Sequence, residues 1–150
     1  MAISFVSVAD GGLGSSVTLS THATNDLIII GTRRLSNTPP SLPAGWTNIE
    51  ASGSDTHSLR VGYKIAASAS EVSGTWTNAV GIYSHVFRGI DVADPIGAIG
   101  TVSAGVSNNA VANGVTFEVG DGSSWVVCVV AGGDMRAPSL MWAGSPGASS

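Results

Sequence analysis

The sequence is poor in charged residues, and this shortage excludes some functions. Charged residues make up only 11% of the 150 residues, and hydrophobic residues make up 43%. Average proteins carry about 25% charged residues. The six basic residues are scattered, and only Arg33 and Arg34 are adjacent. Binding to nucleic acid depends on a basic stripe that neutralises phosphates, so we expect no nucleic-acid partner.

Cysteine and long apolar runs are also scarce. The single cysteine, Cys128, lies in an apolar stretch and cannot form an internal disulfide, so we expect it to pack as a small core hydrophobe. No run approaches the ~18 apolar residues of a membrane span, which predicts no membrane partner. The first residues lack the basic and apolar regions of a signal peptide. We therefore expect synthesis and folding in a cytoplasm.

Patterns that announce catalysis or metal binding are missing as well. The histidines His22, His57 and His85 are far apart in the sequence, and no Gly-x-Ser-x-Gly segment occurs. Asp91 and Asp94 are close together, but Asp94 precedes a proline, and a turn is the favoured interpretation over calcium ligation. The sequence predicts no catalytic residue, no cofactor and no metal site, and hence no enzyme.

What the sequence has in abundance is the alternation typical of β-strands. Apolar residues recur at period two or in short runs, with turn signals between them. We predict an all-β fold, an antiparallel β-sandwich of jelly-roll type, in a single domain over residues 1–150 with 145–150 as a tail. The predicted strands are 3–9, 16–20, 27–33, 47–52, 57–67, 74–78, 81–88, 97–104, 115–119, 124–131 and 138–143.

Two segments predict which side chains form the core. In 57–67, Leu59, Val61, Tyr63 and Ile65 share one face of a strand, and the polar or small residues Ser58, Arg60, Gly62 and Lys64 share the other. We expect the first set to be buried. Residues 27–30 show no alternation, which predicts a central strand buried on both faces.

The four tryptophans are expected to anchor this core, because each aromatic ring buries ~150–250 Å². They are Trp46, Trp76, Trp125 and Trp142. The alternative is an exposed ring that stacks on a sugar. Trp46 and Trp142 are the better candidates for it, since each lies near a loop rich in glycine or proline.

The arginines are candidate interface residues, because arginine is enriched at protein interfaces. For Arg88 a local ion pair with Asp91 or Asp26 is an equally good interpretation. The candidate interface or ligand contacts are Arg33, Arg34, Trp46, Arg88, Arg136 and Trp142.

Three segments, taken in order, resemble a β-rich domain that recurs in virion proteins of tailed phages and prophages. The likeness covers roughly residues 20–100. The segments are Asn-Asp-Leu-Ile-Ile-Ile at 25–30, Pro-Pro-Ser-Leu-Pro-Ala-Gly-Trp-Thr at 39–47 followed by Ser-Leu-Arg-Val-Gly-Tyr-Lys-Ile-Ala at 58–66, and Tyr-Ser-His-Val-Phe-Arg-Gly-Ile at 83–90 leading to Asp-Pro-Ile-Gly at 94–97.

The resemblance implies a non-enzymatic component of a virion. A short chain without stalk or repeats favours a capsid decoration (cement) protein that stabilises the shell, and the alternative is a tail fibre or tip module that binds a receptor or glycan. The expected partners are the major capsid protein and the chain itself, as a homo-oligomer with a trimer favoured. A solvent-facing tryptophan would favour glycan binding, and exposed apolar groups would favour attachment to a shell.

Overall fold

A computed structural model shows that the protein is all-β. It describes residues 3–100, 125–130 and 139–140. Its main element is a five-stranded antiparallel sheet in the order β1-β5-β2-β4-β3. A two-stranded antiparallel sheet joins β6 to β7. No helix occurs in the described residues. The strands are β1 (Ser4–Asp10), β2 (Leu27–Arg34), β3 (Thr47–Gly53), β4 (Ser58–Ile65), β5 (Gly81–Arg88), β6 (Val129–Val130) and β7 (Ser139–Leu140).

Strand β2 is the centre of the sheet, which confirms the prediction from its unbroken apolar run. It pairs with β4 on one side and β5 on the other. Leu27, Ile28, Ile29 and Ile30 are each at most 4% exposed. Full burial of one such side chain contributes about 1.5–3 kcal/mol, so this strand carries a large part of the core.

The two faces of the sheet carry two separate apolar clusters. The Trp76 face holds Ile28, Ile30, Ile82 and Val86 together with Trp46 and Trp76. The Phe87 face holds Leu27, Ile29, Leu59, Val61 and Phe87, with Trp125, Val127 and Val129 packed at its margin. Successive residues of a strand point to opposite faces, so β2 and β5 each contribute side chains to both clusters.

Loop segments, and not strands, cover the Trp76 face. Residues 16–20 and 74–78 were predicted to be strands, and these predictions are wrong. The segments run beside each other, but Trp76 N donates to Ser15 O at 2.8 Å while Val17 N donates to the Ser73 hydroxyl at 3.0 Å. At Val17 the Ser73 side chain thus replaces the backbone acceptor that a strand pair would supply. Positive φ at Gly74 (68°) and Asn78 (71°) also bends the chain away from strand geometry.

The face assignment within β4 is confirmed for its first half. Leu59 and Val61 are buried, whereas Tyr63 and Ile65 are only partly buried against the Phe87 face. Arg60 and Lys64 point to the opposite face. Gly62 on that face is buried, because a Cβ there would lie 2.8 Å from the Trp76 ring.

Both edges of the main sheet are protected within the chain. Register shifts interrupt β1 between Phe5 and Ser7, and β3 between Asn48 and Glu50. The Ser20 hydroxyl donates to Val8 O at 2.6 Å beside β1, and the Glu50 carboxylate accepts from Ala51 N at 2.8 Å on β3. Such devices block pairing with another sheet, so these edges do not by themselves require a second subunit.

The remaining sequence predictions fall partly outside the described residues. Strand 115–119 and the tail 145–150 lie there entirely, as do parts of 97–104, 124–131 and 138–143. Residues 97–100 form no strand. Strand β6 lies within the predicted strand 124–131, and β7 lies within the predicted strand 138–143.

Candidate functional site

Arg33 and Arg34, the adjacent arginines, differ in exposure. Arg33 is 6% exposed, and its side chain lies against Gly81 of the neighbouring strand. Arg34 is half-buried and donates from Nη1 to Thr38 O at 3.3 Å. Of the pair, Arg34 is therefore the one available at the surface.

Trp46 packs in the core. It is 7% exposed and meets Trp76 edge to face, with ring centroids 5.4 Å apart. Positive φ at Gly45 (81°) makes the corner that turns the ring inward. In this position Trp46 offers no face for a sugar. The other two candidates, Trp142 and Arg136, lie outside the described residues.

Arg88 forms a two-pronged ion pair with Asp26. Arg88 Nε donates to Asp26 Oδ1 at 2.8 Å and Nη2 donates to Oδ2 at 2.7 Å. The hydrogen bonds from Arg88 hold the pKa of Asp26 below its usual value, against burial, which acts in the other direction. Of the two partners considered from the sequence, the structure selects Asp26. Asp91 instead accepts from Ala93 N at 2.9 Å, as a turn residue does.

Most other charged side chains described here also have partners within the chain. Lys64 pairs with Glu71. Arg60 donates to Pro40 O and to Asn48 Oδ1. Few charges are thus free to attract a charged ligand.

One groove is lined by the loops that cover the Trp76 face. Its volume is about 540 Å³, and its walls are the segments 16–19 and 69–75 with His22 between them. Serine and threonine hydroxyls line it, and Val72 is 71% exposed there. His22 is buried, and its Nε2 accepts from Glu71 N at 3.0 Å. We call this the His22 groove.

A second polar group is buried on the Phe87 face. The rings of Tyr83 and His85 meet edge to face at 5.3 Å, and Phe5 lies 5.9 Å from His85. Among the described residues, neither the Tyr83 hydroxyl nor His85 Nδ1 has a hydrogen-bond partner. Burial lowers the pKa of His85 to about 4 and raises that of Tyr83. Because His85 stays neutral at neutral pH, this group adds no charge.

The described surface also exposes several large apolar side chains. All are at least 45% exposed, and all but one are aliphatic. They are Phe5, Val8, Leu13, Leu35, Val72, Val92 and Ile99. Contact with a partner protein would remove such groups from water.

Two further features are absent from the described residues. They contain no group of three or more His, Cys, Asp or Glu side chains placed to hold a metal ion. They contain no helix that could cross a membrane. Sequence reasoning missed the contact between His22 and Glu71 and the burial of Tyr83 with His85, because partners distant in the chain leave no local signal.

Comparisons of the chain with protein-family models, with curated proteins and with solved structures found no match. The function of the chain must therefore be inferred from its own residues.

Proposed function

We propose that the chain is a non-enzymatic structural protein of a tailed-phage virion, a capsid decoration protein that stabilises the shell. The observation that carries this proposal is the set of seven large apolar side chains that remain at least 45% exposed. Exposed apolar groups suit a surface that packs against other subunits.

The disposition of charge supports the same proposal. Asp26 and Arg88, like Lys64 and Glu71, satisfy each other within the chain. Attachment then depends on apolar and hydroxyl contacts more than on ion pairs. Salt screens exposed charges most strongly, so binding to a shell should depend only weakly on salt concentration.

The positions of the three tryptophans that the structure describes favour a decoration role over the glycan-binding alternative. Trp46 and Trp76 are buried, and Trp125 is half-buried against Phe87 with ring centroids 5.8 Å apart. A sugar platform needs an exposed ring, and the exposed apolar groups are mainly aliphatic. A tail or receptor-binding role would have to use other residues.

The proposed architecture is a sandwich of jelly-roll type. In this proposal the five-stranded sheet is one layer, and the segments around Val17, Trp46 and Trp76, which pack in one cluster with it, form the second. Their side-by-side course, with one direct backbone bond from Trp76 to Ser15, supports this arrangement.

Electron microscopy of the particles made by the phage that encodes the chain tests the virion role. We expect density for the protein on the outer surface of the capsid. Density at the tail tip would favour receptor binding, and absence of the chain from purified particles would contradict both roles.

Light scattering tests the self-association that the proposal includes. We expect a trimer, with a mass three times the 15.0 kDa of the chain. Leu13→Ser and Val72→Ser remove exposed apolar groups and should weaken assembly or shell binding without lowering the melting temperature. Thr77→Ser, also at an exposed position, is the matched control. Equal binding by all three variants would show that these apolar groups are not the contact.

A further inference from the structure

His22 is hydrogen-bonded both to its own segment of chain and to the wall of the His22 groove formed by residues 69–75. Its Nδ1 lies 2.7 Å from Ser20 O, and its Nε2 lies 3.0 Å from Glu71 N. A carbonyl oxygen can only accept and a backbone N–H can only donate. Both bonds therefore form together only when the ring is neutral and carries its hydrogen on Nδ1.

Protonation of this ring is incompatible with the second bond. The added hydrogen occupies Nε2, where it faces the N–H of Glu71, so two donors oppose each other. The Glu71 N–H then loses its acceptor, while Nδ1 can still donate to Ser20 O. A single proton thus breaks the bond that holds the Glu71 backbone, while the bond from Val17 N to the Ser73 hydroxyl still joins the two segments.

Two carboxylates, each paired with a cation, lie near His22. Asp26 lies on the same segment of chain and Glu71 on the opposite wall, and each interacts favourably with the positive ring. Their pKa values are lowered, first by hydrogen bonds from Arg88 to Asp26 and from Lys64 to Glu71, and burial opposes this in both. These carboxylates consequently stay ionised in the range between pH 5 and 8 where histidine ordinarily changes charge.

We infer that His22 is a pH-sensitive latch that holds segment 69–75 against segment 16–22 when neutral and releases the Glu71 backbone when protonated. The consequence is a groove whose wall is fixed near neutral pH and loosened in mild acid. The latch goes beyond the proposed assembly role and does not depend on it.

Amide hydrogen exchange measured by NMR tests the latch directly. The protection factor of the Glu71 amide should fall about tenfold between about pH 7.5 and pH 5.5, the equivalent of one lost hydrogen bond. The Trp76 amide, which donates to Ser15 O at 2.8 Å in the same loops, is the internal reference, because it reports any general loss of stability in acid, and the fall at Glu71 is measured relative to it. Ring nitrogen shifts at the higher pH should show hydrogen on Nδ1 of His22.

Two variants separate His22 from a general effect of acid. In His22→Gln, the protection of the Glu71 amide should change with pH only as much as that of the Trp76 amide. His57→Gln changes a histidine whose Nδ1 lies 2.8 Å from the Thr56 hydroxyl, outside the His22 groove, and it should keep the wild-type dependence.

Three results would overturn the latch. They are unchanged Glu71 protection relative to Trp76 over this pH range, hydrogen on Nε2 of neutral His22, or a Glu71 pH dependence beyond that of Trp76 that persists in His22→Gln. Where His22→Gln fails to fold, the ring nitrogen shifts and the Glu71 and Trp76 amides of the wild type decide the question.

Discussion

Arg88, half of whose side chain is exposed, pairs through two hydrogen bonds with Asp26, which is 1% exposed. The two residues lie on neighbouring strands or their ends, since β2 begins just after Asp26 and β5 ends at Arg88. Loss of the arginine would leave a buried carboxylate without its counter-ion, and this is costly.

Arg88→Gln should therefore lower the melting temperature more than Arg34→Gln, which removes only a bond to Thr38 O. The pKa of Asp26 is lowered in the folded state, so its contribution is complete above the unfolded value of 3.8 and disappears as pH falls through the folded value. Melting curves at neutral and strongly acidic pH measure this. Equal effects of the two substitutions at neutral pH would contradict the role of the pair.

His85 should make the protein sensitive to mild acid. Burial lowers its pKa from 6.5 to about 4, so the unfolded chain binds a proton that the folded chain does not over this interval. Stability is therefore complete above pH 6.5 and is lost as pH falls toward 4. The loss is on the order of 3 kcal/mol.

The variant His85→Phe isolates this effect, since phenylalanine suits the contacts with Phe5 and Tyr83. Denaturant unfolding at a series of pH values should show the wild type losing stability relative to His85→Phe as pH falls. A constant difference between them would show that His85 accepts its proton without cost.

Gly62 should not tolerate a side chain. A Cβ at this position would lie 2.8 Å from both the Leu42 side chain and the Trp76 ring, and 3.0 Å from Thr47 O. Overpacking of this kind typically costs about 1–3 kcal/mol. We expect Gly62→Ala to destabilise by that amount and Gly97→Ala, where nothing lies within 4 Å, to change stability by less than ~0.5 kcal/mol. Chemical denaturation of both variants checks the contrast.

Val61→Ala should destabilise through lost apolar burial and the cavity that it leaves. Val61 is 6% exposed on the Phe87 face, and we expect a loss of about 1–3 kcal/mol. Lys64→Ala on the opposite face should cost less, although it breaks the ion pair with Glu71. Equal costs, measured by denaturant unfolding, would mean that the two positions do not differ in burial as described.

The sequence by itself determined the strand type and the centre of the sheet. The unbroken apolar run at 27–30 has no polar face to offer to water, so it had to lie between two covered faces. Alternation within 58–65 likewise placed Leu59 and Val61 on the inside before any partner was known.

Only the tertiary structure decided the pairings and the covering layer. Nothing near Arg88 in the chain favours Asp26 over Asp91, and nothing near His22 announces Glu71, because each pair is separated by long stretches that fold between them. Segments 16–20 and 74–78 have the composition of strands, but the Ser73 hydroxyl and positive φ at Gly74 and Asn78 interrupt their pairing. The local sequence pattern indicates which face of a segment is apolar. The hydrogen-bond or ion-pair partner of a residue depends instead on which distant groups meet once the core has formed.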